Sequence, residues 1–235
     1  MKATKKPTQR ELDEAREYII SRLECQNVAE YELSRELDEA AESIALIVLK
    51  YLARGMKLRF SGNSAMAREI EDIISSLKER ILSIMEENAV PDEDTLGVAA
   101  DKASSIAAMA IAYAAGEFHG ATFAERENLY LEKLMGDISG IDFDSLDMDE
   151  EAMVSAIEES TSRTRDRLAL LMMNTVAVGW MYARMLRAKS EGKTGFWLIN
   201  GSNPCGYCRD MEGFHEMSDP VPPYHPRCVC TAVYV

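Results

Sequence analysis

Histidine is scarce in this chain, cysteine nearly so, and neither is scattered. The 235 residues hold three His and five Cys, and of these only Cys25 and His119 lie outside the last 31 residues. Long apolar runs are also missing. The longest low-charge stretch, Ala103 to Ala115, is too short to cross a bilayer, and its small residues suggest close helix packing. Met1-Lys-Ala-Thr-Lys-Lys-Pro7 is basic, but charged rather than apolar residues follow, so no signal peptide is expected. Catalytic signatures are absent as well: there is no His-Glu-x-x-His, no phosphate-cradling Gly loop and no Ser-centred elbow. Pro204-Cys205-Gly-Tyr-Cys208 matches the second half of a zinc-deaminase signature, but His119-Gly-Ala121 lacks the Glu of the first half. Acid pairs such as Glu86-Glu87 and Glu158-Glu159 are adjacent and cannot share a helix face. No enzyme is expected.

The length suits one sizeable core or two small ones, and a hydrophobic content of 47% is ordinary for a globular protein. A net charge of −14 repels nucleic acid from the chain as a whole. The charge is uneven, however. Residues 136–160 carry nine acids and no base, whereas residues 161–189 carry Arg163, Arg165, Arg167, Arg184, Arg187 and Lys189 against Asp166 alone. That basic stretch reads either as a contact for DNA or an acidic partner, or as a solvated helix face paired with the acids before it. Charge runs are usually solvated faces, which favours the second reading.

Apolar spacing predicts a mainly helical fold. One helix is expected over Glu11–Cys25, broken at Asn27, and a second over Glu30–Arg54. A third is expected over Ala65–Glu87, with Asn63 or Ser64 as N-cap. A fourth starts at Pro91 and runs to about Gly116 or Gly120, and a fifth covers Phe123–Met135. Gly136–Asp149 is rich in Gly, Asp and Ser and reads as a linker or exposed loop. A long helix over Asp149–Lys189 follows, and Phe196–Ile199 and Thr231–Val235 read as short paired strands. His119 reads as a helix-end residue and Cys25 as a small buried hydrophobe. The expected organisation is a helical domain over 1–135, an acidic linker or loop over 136–150, and a long helix plus a Cys/His domain over 151–235. The fold class is mainly α: a multi-helix bundle with a long helix leading to a small C-terminal β/zinc-knuckle subdomain.

The chemistry concentrates in Cys205-Gly-Tyr-Cys208 and His225-Pro-Arg-Cys228-Val-Cys230. A Cys pair two residues apart presents both sulfurs to one metal, and a second cluster nearby closes the tetrahedron that Zn²⁺ prefers. Five candidate ligands exceed the four needed. Cys205 and Cys208 form one half; two of His225, Cys228 and Cys230 form the other. Four protein ligands leave no position open for water, so the metal is structural. Disulfides joining Cys205 or Cys208 to Cys228 or Cys230 are the alternative. A thioredoxin-like redox pair is disfavoured, because Cys205-Gly-Tyr-Cys208 opens no obvious helix in a βαβ context.

This tail resembles the C-terminal signature of the phage Mu F-like minor head proteins. The match runs through Trp197, Cys205-x-x-Cys208, Asp210-Met-Glu-Gly213, Pro222-Pro-Tyr-His225-Pro-Arg-Cys228-Val-Cys230 and the apolar end Thr231–Val235. Thr161-Ser-Arg-Thr-Arg-Asp-Arg167 corresponds to the family's Arg-rich helix, so the resemblance covers residues 161–235. Val229 stands where the family commonly has Arg, and Asn203-Pro204 where it has an acid. The resemblance implies a structural protein of few copies at the portal vertex, acting in head morphogenesis, DNA packaging or DNA delivery. Implied partners are the portal or major capsid protein, packaged DNA and further copies of the chain, with no membrane. The implied location is the virion, in the portal-proximal interior of the head, and the host cytoplasm during assembly. Trp197 and Tyr224 are expected to pack over the ligands. The alternative is a zinc-knuckle adaptor that binds nucleic acid through the basic helix 161–189 in a salt-sensitive way.

Overall fold

A computed structural model describes residues 6–89 and 123–235. The helix expected from Pro91, the apolar stretch from Ala103 and His119 all lie outside these residues. The described chain is mainly helical and ends in a small antiparallel sheet. Four longer helices come first: α1 (Gln9–Leu52), α2 (Ala65–Asn88), α3 (Phe123–Ser139) and α4 (Glu150–Ser190). A 3₁₀ turn, Phe143–Leu146, separates α3 from α4. The C-terminal part holds β1 (Gly195–Ile199), the short helix α5 (Gly206–Asp210), β2 (Gly213–Glu216) and β3 (Thr231–Tyr234). No helix among the described residues is long and apolar enough to cross a membrane.

The start of α1 is fixed by a capping box. The Thr8 hydroxyl accepts from the Glu11 N–H at 3.3 Å, and the Glu11 carboxylate accepts from the Thr8 N–H at 2.6 Å. The expected break at Asn27 does not occur, and α1 is one helix of 44 residues. Its buried stripe runs Ala15, Ile19, Arg22, Gln26, Ala29, Leu33, Leu37, Ala41, Ile44 and Val48 without losing phase. Asn27 is exposed, and in that position it costs no more than about 0.7 kcal/mol of helix propensity, far less than the stripe contributes. The N-cap expectation for α2 holds at Ser64, whose hydroxyl accepts from the Ala67 N–H at 3.1 Å.

The chain divides into two compact units, each built from separated stretches, so neither coincides with a contiguous span such as 1–135 or 151–235. Among the described residues the first unit takes 6–29, 85–89 and 170–235, and the second takes 30–84 and 123–169. The core of the second unit gathers Ile44, Val48, Tyr51, Met66, Ile70, Ile138, Phe143, Met153 and Ile157. Here the expected linker over 136–150 is corrected. α3 continues to Ser139, Ile138 is buried, and Phe143 on the 3₁₀ turn stacks on Phe60 with ring centroids 5.7 Å apart. Asp137 ties the segment to α4, accepting from the Thr164 hydroxyl through its carboxylate and from the Ser160 hydroxyl through its carbonyl.

The first unit contains the sheet, in the order β2-β1-β3, with both pairings antiparallel. The expected pairing of Phe196–Ile199 with the C-terminal strand is present, with Trp197 opposite Val233 and Leu198 opposite Ala232. β2 is an additional strand, placing Phe214 opposite Trp197 and His215 opposite Phe196. Phe196, Leu198, Ala232 and Thr231 are buried, so the sheet is covered by the unit's own residues.

Candidate metal centre

The sheet brings the two halves of the Cys/His motif together. Cys205 is the N-cap of α5, and its sulfur accepts from the Cys208 N–H at 3.4 Å. The pair therefore does open a helix, contrary to expectation, although one of only five residues in an antiparallel rather than a βαβ setting. Cys208 points inward from α5 and is buried. His225, Cys228 and Cys230 lie on the loop from β2 to β3, where the Cys228 N–H closes a turn onto the His225 carbonyl at 3.2 Å.

Distances decide what this cluster is able to hold. The His225 Nε2 lies 3.3 Å from the Cys205 Sγ and 3.2 Å from the Cys208 Sγ, and the Cys208 Sγ lies 3.9 Å from the Cys228 Sγ. A tetrahedral Zn²⁺ with Zn–S near 2.3 Å and Zn–N near 2.0–2.1 Å has S–S edges of about 3.8 Å and S–N edges of about 3.6 Å. The donors thus stand near metal-edge spacing. They form two triads, Cys205–Cys208–His225 and Cys208–Cys228–Cys230, each with its ligand atoms within 4.8 Å of one another. Cys208 belongs to both. No disulfide joins any of these cysteines.

The histidine is set up as a ligand. Its Nδ1 lies 2.8 Å from the Pro226 carbonyl, which is able only to accept, so Nδ1 carries the proton. In the neutral ring that leaves the Nε2 lone pair aimed at the two sulfurs, the arrangement metal-bound imidazoles use. The thiols differ in character. The Cys208 N–H holds the Cys205 thiol below its ordinary range, whereas burial pushes Cys208 up to about 12. A hydrogen bond from Cys230 draws the Cys228 thiol down to about 5, and the same bond pushes Cys230 up. The Asn200 Oδ1, 3.2 Å from the Cys230 sulfur, is the alternative acceptor for that thiol's one proton.

The surrounding residues hold the loop. The guanidinium of Arg22, fully buried on α1, donates through Nη2 to the Cys228 carbonyl at 2.8 Å and through Nη1 to the Cys230 carbonyl at 3.0 Å. Gly201 lies directly against Val229, between those two cysteines. A Cβ there would meet the Val229 carbonyl, with Val229 Cγ2 at 2.8 Å. Gly201→Ala must therefore displace the ligand loop. A loss of about 1–3 kcal/mol is expected, with weaker metal retention, read by urea denaturation and by competition with a chelator. Unchanged values in both would show that the loop has slack.

Of the two aromatics expected over the ligands, Tyr224 is in place. It meets Tyr207 edge-on with centroids 5.6 Å apart, and burial, then Tyr207 and the nearby cysteines, push its hydroxyl up. Trp197 is not. The pleat turns it away from the face of Leu198 and Ala232, which leads on to Asn200 and Cys230, and it packs against Phe214 instead. His215 also stays out of the cluster, stacked on Phe196 and bonded to the Met211 carbonyl at 2.7 Å. Cys25 is half-buried rather than buried.

The basic residues of α4 do not present a common set of charges. Arg163 and Arg167 are exposed. Arg165 pairs with Asp38 of α1 rather than with the acids that precede it in sequence. Arg184 lies over the Tyr18 ring at 3.8 Å from its centroid and bonds the Thr231 hydroxyl, and Arg187 pairs with Glu191 at 2.7 Å.

Sequence reasoning missed Arg22, Asn200 and Gly201. Arg22 carries one faint signal, a lone cation on an otherwise apolar stripe. Comparison with models of known families, with curated proteins and with solved structures finds no match for this chain.

Proposed function

We propose that the chain is a structural phage protein of the Mu F-like minor head class, whose C-terminal subdomain is a zinc-held knuckle. The observation that carries the metal reading is the meeting of two ligand triads, Cys205–Cys208–His225 and Cys208–Cys228–Cys230, at the shared Cys208. Cys228, whose sulfur lies 3.9 Å from that of Cys208, or Cys230 of the same triad supplies the fourth ligand. A bound Zn²⁺ supplies a cross-link between α5 and the β2–β3 loop and no open site for chemistry. The minor-head reading is supported by the order of the motif, which runs from the Trp-bearing strand through the Cys pair to Pro222-Pro223-Tyr224-His225 and the closing strand. The DNA-adaptor reading keeps the exposed Arg163 and Arg167, but Arg165, Arg184 and Arg187 are engaged within the protein.

Two measurements test this reading. Metal analysis of reduced, purified protein is expected to give about one zinc per chain, lost in Cys205→Ser. Quantitative mass spectrometry of purified phage particles is expected to find the chain at a few copies each, and a particle reconstruction to place it by the portal. A protein abundant in the lysate but missing from particles would remove the minor-head reading and leave the metal reading standing.

A further inference from the structure

The first unit buries a positive charge that no carboxylate balances. Arg22 has no acidic partner among the described residues; its hydrogen bonds go to the carbonyls of Cys228 and Cys230, and its Nε has none. A fully buried guanidinium without a counter-charge is costly, and such groups are retained where something of opposite sign is near. The groups acting on it are few. Burial works most strongly against its charge, Tyr18 and the sulfurs of Cys228 and Cys230 favour it, and Arg184 opposes it. The tyrosine cannot serve as the counter-charge, because burial pushes its hydroxyl up to about 12, where it stays neutral at physiological pH.

The thiolates are what remain, and their charge depends on the ligand set. Three thiolates, a neutral imidazole and a divalent ion leave one net negative charge; four thiolates and the same ion leave two. One buried guanidinium matches the first. The two carbonyls that Arg22 grips flank Val229, so the same fork fixes the loop that presents Cys228. Polar partners just outside a metal's ligands act in this way, setting their orientation and charge.

We propose that Arg22 is the counter-charge and positioning residue of a Cys₃His zinc centre formed by Cys205, Cys208, His225 and one of Cys228 and Cys230. The proposal rests on the metal reading above and adds both the identity of the balancing cation and the thiolate count.

The test is metal binding by the full-length chain, wild type beside Arg22→Lys, Arg22→Gln and Arg22→Met. Zinc affinity is read by chelator competition, and cobalt substitution counts thiolates through the sulfur-to-metal charge-transfer band. Wild type and Arg22→Lys should share a three-thiolate spectrum. The two neutral variants should bind about 10–100-fold more weakly with unchanged helix content. A purely structural staple would be lost in Lys and Met alike, so rescue by Lys alone marks the charge. Wild-type affinity in the neutral variants, or a four-thiolate spectrum, overturns the inference while sparing the metal. A wild-type chain that binds neither metal overturns both.

Should the neutral variants fail to fold, the wild type alone decides. The Arg22 Nε–H should exchange slowly in the zinc-loaded protein and quickly once the zinc is chelated. Equal exchange in both overturns the inference.

Discussion

Replacing Cys208 with Ser is expected to abolish zinc binding and unfold the C-terminal sheet, the largest effect of any single change in the molecule. Cys208 is common to both triads, so its loss leaves neither intact. The change from sulfur to oxygen is nearly isosteric, and so the effect reports ligation rather than a cavity. The sheet is packed through Phe196, Leu198, Thr231 and Ala232, and the zinc cross-link adds to that packing. Its three strands have five, four and four residues, and sheets that small are marginal unless packed or cross-linked. A structural zinc contributes an apparent ~10–16 kcal/mol in zinc-finger peptides. Amide exchange should show β1, β2 and β3 losing protection in Cys208→Ser and in the chelated wild type, with the core around Phe143 unchanged. Acid should mimic the mutation. The bound ligands must be deprotonated, so metal-linked stability is present at neutral pH and is lost as pH falls and protons displace the ion. A Cys208→Ser protein with full zinc and a protected sheet would sink the metal reading.

How much of this centre was legible in the sequence depends on the distance over which each residue acts. Cys205, Cys208, His225, Cys228 and Cys230 announce themselves through local spacing, and so do the strands at 196–199 and 231–235. The turn of helix after Cys205 is too short to show a period, and β2 alternates too briefly to be read. Arg22 acts on the loop across 206 and 208 positions, a separation at which one sequence carries no pairing signal. The same residue explains the false break in α1. Arg22 and Gln26 take two consecutive places on the buried stripe, and Gln26 donates to the Met173 carbonyl at 2.9 Å. Read as polar, they interrupt the apolar pattern beside Asn27. They are polar because each satisfies a carbonyl of the same unit, so the apparent end of a helix marks the place where it supports the site.

Phe143→Ala is expected to cost the second unit about 3–5 kcal/mol, the usual range for removing a buried phenyl ring. The residue lies in a segment whose composition argues for nothing of the kind. Between Gly136 and Asp149 stand five Asp, two Gly and two Ser, and such a run reads as solvated loop. What the composition hides is that four apolar side chains of this stretch, Ile138, Ile141, Phe143 and Leu146, belong to one core. The acids around them are the exposed positions of a short, folded connection. Phe143 is fully buried against Phe60, Met66, Met153 and their neighbours, so truncation leaves a cavity that helices on both sides must collapse to fill. A linker residue would cost within about 0.5 kcal/mol, the range for surface changes away from special features. The two readings therefore differ by several kcal/mol, well beyond the error of a urea titration followed by circular dichroism. Both Trp residues, Trp180 and Trp197, lie in the first unit, so amide exchange in α2 and α3 is the better local probe. Loss of protection there, with β1 and β3 still protected and zinc retained, is the expected pattern. A Phe143→Ala protein as stable as wild type would return the segment to the status of a linker.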